Sequence, residues 1–282
     1  MLRLRHLTLG LALGAAALAG TGFYFVQGTR GEIDRLEERV VRLARPAAQP
    51  DAAAMARLPA PVARYFAFAF PDGVPEGVRH VAMEMEGDFR RPLTEAFNPT
   101  TARQLANLGA PDMVFSAVTP IIGPLWAVAW DSYIDGEMEM NARLVSAVTV
   151  MHEDGNPVLD VISLRRWLLE SPLYPMALLP GGPVRWEAID DASAMAIVSA
   201  HGNEARLIAR FDASGALASF EAPEPGDLAT PYHGSGEHVA RSDYRPVDGV
   251  MVPMGFEISR VGPDGLVRPF WRGKVTHLSF EG

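Results

Sequence analysis

The sequence predicts an α+β domain: a strongly curved antiparallel sheet, half-barrel-like, with a mid-chain helical plug, preceded by an N-terminal transmembrane helix. Three observations carry this. Beyond residue 58, apolar and polar residues alternate with period two in segment after segment, the mark of strands with one buried and one wet face. Asp-Gly and Ser-Gly pairs separate these segments at short intervals, which favours hairpin connections over crossover helices. One well-defined amphipathic helix stands mid-chain, at 160–170. The βαβ alternation of a doubly wound fold is missing. With 48% apolar and 21% charged residues in 282, the chain suits a packed core. Mean hydropathy is only +0.06, and one long apolar run argues for a single membrane segment.

That run spans Leu7 to Val26 without a charge, long enough to cross the ~30 Å hydrocarbon layer as a helix. Arg3, Arg5 and His6 precede it, and the next charges are Arg30, Glu32 and Asp34. The basic end stays inside and the bulk of the chain outside. Phe23, Tyr24 and Phe25 suit a membrane interface and favour an uncleaved anchor. Cleavage of a signal peptide near Ala19, after Ala17-Leu18-Ala19, is the alternative. Both readings place the body in one compartment. The organisation is thus 1–30 anchor or signal segment, 31–57 helical stalk and Ala/Pro-rich linker, and 58–282 a single β-rich extracytoplasmic domain.

In the stalk, Ile33, Leu36, Val40 and Leu43 follow a 3-4-3 spacing with charges between them, a seam about two heptads long. It either extends the membrane helix or supports weak self-association through 33–43. Residues 46–57 read as a tether. Val81, Met83, Met85 and Phe89 then oppose Ala82, Glu84, Glu86 and Asp88. Met138, Met140, Ala142 and Leu144 oppose Glu137, Glu139, Asn141 and Arg143. Ala205, Leu207, Ala209 and Phe211 oppose Arg206 and Arg210. Turns fall at Asp135-Gly136, Asp154-Gly155, Ser214-Gly215, Asp248-Gly249 and Asp264-Gly265. Short helices are expected at 62–70 and 101–108. The longer one at 160–170, with Val161, Leu164, Trp167 and Leu168 inward, ends before Pro172 and Pro175.

Charge and motifs exclude several functions. Cysteine is absent, so disulfides, thiolate metal sites and cysteine nucleophiles are excluded. Past residue 30 the chain carries 22 basic and 34 acidic residues, a net charge of −12 that repels nucleic acid. There is no P-loop, Gly-x-Gly-x-x-Gly, His-Glu-x-x-His or Gly-x-Ser-x-Gly. No cofactor, metal or catalytic residue is therefore assigned. His233 and His238 lie in a glycine-containing loop at a spacing unlike a helical metal pair.

The remaining candidates are apolar or paired. Arg166 and Glu170, one helical turn apart, form either a plain ion pair between helix and sheet or the holder of a ligand head group. Met83, Met85, Met138 and Met140 fall on inward strand faces. Together with Trp126, Trp130, Trp167, Tyr174 and Trp186, they either fill a core or line a concavity for an adaptable apolar ligand.

Several segments resemble a bacterial domain-of-unknown-function family of exported or membrane-anchored proteins. They are Leu58-Pro59-x-Pro61-Val62-x-Arg64-Tyr65-Phe66; Asp131-x-Tyr133-x-x-Gly136; Arg166-Trp167-Leu168-x-Glu170; Pro175-x-x-Leu178-Leu179-Pro180; Trp186-x-x-Ile189-Asp190; Asp243-Tyr244-Arg245 with Gly249 and Val252-Pro253; and Trp271-Arg272-Gly273. The resemblance spans about 58–282. Ser171-Pro172-Leu173-Tyr174 departs from it where an aromatic Trp is expected. Such proteins look like the curved half-barrels of periplasmic lipoprotein carriers. The resemblance implies a bacterial inner-membrane protein with its domain in the periplasm. The family brings no established activity; the inward apolar faces and the curved sheet are read as a non-enzymatic domain that binds or carries an apolar molecule such as lipid, with an envelope scaffold or an unrecognised hydrolase as alternatives.

Overall fold

The computed structural model describes residues 2–92, 94–228 and 236–282, with side chains from Gly20 onward. Helix α1 (Leu2–Leu43) is continuous from the apolar run into the charged segment. Most of the expected membrane segment, Leu7 to Ala19, lies outside the residues whose side chains are described. Among the described residues, no helix is long and apolar enough to cross a membrane.

The α1 seam packs onto the outer face of a sheet. Ile33 meets Val128 and Trp130, and Val40 meets Val114 and Ile134. Polar contacts flank the seam: Arg103 Nε donates to Glu37 at 2.7 Å, Arg143 Nη1 to Glu32 at 3.0 Å and Asn107 Nδ2 to the Val40 carbonyl at 2.9 Å. The stripe expected to serve as a stalk or to support pairing between copies is thus covered by the chain's own sheet. An i, i+3, i+7 stripe fits any apolar surface, and spacing alone does not say which. The linker is also fastened. Ala47 is buried and its amide donates to the Val78 carbonyl at 2.8 Å. Helix α2 (Ala52–Ala56), capped by Asp51, follows. Helix α3 (Ala60–Ala69) buries Val62, Tyr65, Phe66 and Ala69, close to the expected bounds.

The strands are β1 (His80–Arg90), β2 (Phe97–Asn107), β3 (Met113–Ile122), β4 (Leu125–Ile134), β5 (Glu137–Leu144) and β6 (Val148–Asp154). After helix α4 (Pro157–Glu170) come β7 (Val184–Ala188), β8 (Ser193–Ala200), β9 (Asn203–Phe211), β10 (Leu217–Glu221), β11 (His238–Val247), β12 (Val250–Val261) and β13 (Val267–Glu281). Among the described residues they form one sheet in the order β6-β5-β4-β3-β2-β1-β13-β12-β11-β10-β9-β8-β7. All the pairings are antiparallel. The chain meanders outward from β1 to β6, crosses through α4, and meanders back until β13 pairs with β1, with Met83 opposite Leu278. The sheet is curved but unclosed, with β6 and β7 as its edges. Its two halves meet at the β4–β5 and β8–β9 turns, where a Cβ on Gly136 would lie 2.5 Å from the His201 Cβ. Asp135-Gly136 and Asp248-Gly249 take positive φ at both positions (55° and 91°, 49° and 80°), as tight hairpins require.

The core lies between the concave face and the helical crossing. Helix α4 starts three residues earlier than its apolar pattern indicates. Asn156 Oδ1 accepts from the Val158 and Leu159 amides, and Pro157 occupies the first turn. Leu164, Trp167, Leu168 and Leu169 are fully buried, and two 3₁₀ turns (Ser171–Leu173 and Pro175–Leu178) continue the plug. The helix expected at 101–108 is instead strand β2, paired on both sides. Its Ala, Arg, Gln and Leu favour helix only weakly, and two neighbouring strands satisfy its backbone.

Candidate ligand-binding site

A cavity of about 320 Å³ lies on the concave face. Sheet register explains why side chains leave this space. Ala117 on β3, Ala129 on β4 and Ala142 on β5 are direct cross-strand neighbours, and Ala102 extends the row onto β2. The three alanines on β3, β4 and β5 line the cavity and leave a trough where larger side chains would normally interdigitate. Phe89, Phe115, Met140, Phe270 and Trp271 line the cavity. Aromatic edge-to-face contacts brace this wall, with Phe89 and Trp271 centroids 6.1 Å apart. The cavity extends to Ile121, Leu144 and Val150 at the ends of β3, β5 and β6.

Three polar features interrupt the apolar lining, one of them Arg91, whose Nε donates to Asn98 Oδ1 at 3.3 Å. Thr100 and Thr119 are buried, with their hydroxyls 2.8 Å apart. At the α4 side stands Arg166, with only 3% of its side chain exposed. Its Nη1 donates to Asp131 Oδ1 at 2.6 Å, and its Nε to Glu170 Oε1 at 3.0 Å. Its guanidinium lies 4.5 Å from the Phe115 ring centroid, and Gln104 Nε2 donates to the other Glu170 oxygen. Burial disfavours the Arg166 charge, but Asp131 and Glu170 outweigh it and raise its pKa above the ordinary guanidinium value. The guanidinium is thus a permanently charged, pre-oriented donor at the wall of an apolar space.

The structure distributes the sequence candidates unevenly. Arg166 and Met140 line the cavity, and Glu170 supports Arg166 from behind. Met83, Met85 and Met138 are buried on the inner face outside the cavity. Trp167 and Tyr174 belong to the core: Trp167 Nε1 donates to the Asn107 carbonyl at 3.0 Å, and the Tyr174 hydroxyl to the Trp167 carbonyl at 2.6 Å. Trp186 is half-buried by β7, donating to the Leu178 carbonyl at 3.0 Å. Trp126 and Trp130 lie on the opposite, outer face. Trp130 is buried under Ile33, and Trp126 borders a groove beside Val26 and Thr29. One-residue alternation places them there, since Ala127 and Ala129 take the inner positions of β4. Sequence reasoning missed the alanines, Thr100, Thr119 and Asp131. The available signal was alanine at inward positions of consecutive alternating segments.

Two larger grooves, of about 600 and 760 Å³, are surface clefts bordered by charges such as Arg30, Asp34, Glu84, Glu86 and Lys274. A second buried ion cluster joins Arg165 and Arg260 to Glu237, at 3.1 and 2.9 Å. It fastens α4 to the end of β12. Among the described residues, no group of His, Asp or Glu is arranged to hold a metal ion. His233 lies outside them.

No curated protein matches the sequence. Among solved structures, similarity is found to a LolA superfamily protein from Nitrosomonas europaea (8% identity, 79% of this chain and 92% of that one, TM-score 0.35). It extends to a DUF1329 family protein from Desulfovibrio piger (10%, 73% and 87%, TM-score 0.38). A β-barrel-like DUF1849 protein from Brucella abortus also matches (11%, 73% and 98%, TM-score 0.23). Residues 56–280 match the family of unknown function DUF6920, and the chain, over its whole sheet and plug, belongs to that family.

Proposed function

We propose that this domain binds or carries an apolar chain, such as a lipid acyl chain, without catalysing a reaction, and that residues 7–26 tether it to the membrane outside the cytoplasm. The observation that carries this reading is the trough over the alanine row. A folded core normally fills such space, and here it stays open, walled by aromatic and aliphatic side chains. Its 320 Å³ is at the low end of ligand-pocket volumes, ~300–1,000 Å³, which suits one chain segment better than a whole two-chain lipid. Each methylene moved from water into it contributes ~0.8 kcal/mol. Arg166 Nη2 has no hydrogen-bonded acceptor among the described residues, so it is free to meet the polar end of a ligand. Native mass spectrometry of the full chain, released gently from membranes, tests the proposal. A lipid-sized adduct is expected, and Ala129→Phe, which fills the trough, should remove it. If no lipid co-purifies and no fatty acid can be loaded, the reading fails.

A further inference from the structure

We infer that the cavity mouth faces the bilayer surface, with the β3–β4 and β5–β6 hairpin tips set into the lipid interface beside the anchor helix. The inference rests on the tethering part of the reading above. Helix α1 fixes the geometry. Thr29 Oγ1 donates to the Ser146 carbonyl at the β5–β6 tip at 3.1 Å, and Arg143 Nη1 donates to Thr29 Oγ1 at 3.0 Å. Val26 and Trp126, next to the start of β4, border one groove. At ~1.5 Å rise per residue, Phe23 lies about 4–5 Å beyond Val26, on the side away from Ile33 and Val40. The apolar run of α1 therefore leaves the domain alongside both tips.

The composition of those tips matches that position. Residues 113–130 contain no charge, and neither do residues 144–151. Ile122 is 73% exposed and Val148 57%, so large apolar side chains point into solvent next to an apolar helix. Phe23 and Tyr24 on α1 are exposed as well, the aromatic pattern of a membrane interface. The backbone is also unusual here. Val145 takes φ +45°, a conformation costly for a β-branched residue, and its amide donates to the Trp126 carbonyl at 2.9 Å. The other end of the same strands is different: Asp112 and Asp135 sit in its turns, and Arg39 pairs with Asp135 at 2.8 Å. The cavity reaches the end of the sheet that carries these two tips, at Ile121, Leu144 and Val150, with Arg91 and Pro92 of the β1–β2 connection on its other side. A chain leaving the bilayer would then pass from lipid to cavity along the apolar side chains of these two tips, beside Arg91.

The chain has no cysteine, which allows single-site labelling. Ile122→Cys, Val148→Cys and, as a control, Ile189→Cys are introduced into the full chain, labelled with an environment-sensitive fluorophore and reconstituted into phosphatidylcholine vesicles containing nitroxide lipid. Strong quenching and a blue shift are expected at 122 and 148 but not at 189. Equal signals at all three sites, or failure of the chain to float with the vesicles, overturn the inference. A fluorescent fatty acid separates this from the cavity reading. The Ile122→Asp/Val148→Asp variant should load it from detergent micelles like the parent but take it from vesicles about tenfold more slowly, the scale expected when two apolar side chains leave the interface. Equal rates from vesicles also overturn the inference. If neither protein loads it from micelles, the cavity reading fails, while the quenching result still decides the orientation.

Discussion

Replacing Arg166 with Met isolates what the buried charge cluster contributes. Arg166, Asp131 and Glu170 have side-chain exposures of 3, 8 and 6%, so removing the cation leaves two carboxylates in a poorly solvated space. Breaking such a pair costs about 3–5 kcal/mol. For a domain of this size, that corresponds to a Tm lowered by about 6–20 °C. Adding Asp131→Asn and Glu170→Gln, the latter keeping an acceptor for Gln104, should recover most of the lost stability. The assay is thermal and urea unfolding of the full chain in detergent, followed by near-ultraviolet circular dichroism. A deficit below about 1 kcal/mol, typical of exposed pairs, or no recovery in the triple variant, refutes the argument that buried charge pairing holds α4 to the sheet.

Other consequences are as direct. Gly136→Ala should cost clearly more than Gly249→Ala in urea unfolding. Both glycines take positive φ, but only at Gly136 would the new Cβ strike His201. Ile33→Asp, under which Trp130 is buried, should raise amide hydrogen exchange across residues 24–43 while β8 and β9 stay protected. Uniform protection would show that the seam contributes little. Burial holds the His238 imidazole below its usual value, with Glu221 and Glu257 opposing. The folded chain therefore binds that proton less readily than the unfolded one. Stability is full above about pH 6.5 and falls as pH drops through it. His238→Gln should flatten the stability profile between about pH 7 and 5, and an unchanged profile would show that another group is responsible.

Period-two alternation sufficed to identify the strands around Met83, Met138 and Leu207, and Asp-Gly pairs marked two tight hairpins, because side-chain direction and turn conformation are decided by residues adjacent in the chain. The same reasoning identified α4, whose Leu164, Trp167 and Leu168 recur at helical spacing. It failed at 101–108, where Ala, Gln and Arg carry no strand pattern and only pairing with β1 and β3 makes the segment extended. It also gathered Trp126, Trp130, Trp167 and Trp186 into one concavity and left out Trp271, which lines the cavity. Trp126 and Trp130 are one position out of phase with the inner face of β4, and which face is concave is a property of the assembled sheet. Inward alanines could be read segment by segment, but their alignment into one row could not. Ala117, Ala129 and Ala142 are far apart in sequence and become neighbours only through strand register. Local periodicity thus determined those three strands and the helical plug. The cavity, the Asp131–Arg166–Glu170 cluster and the packing of α1 on the sheet were decided by tertiary structure, since each depends on contacts between residues tens of positions apart.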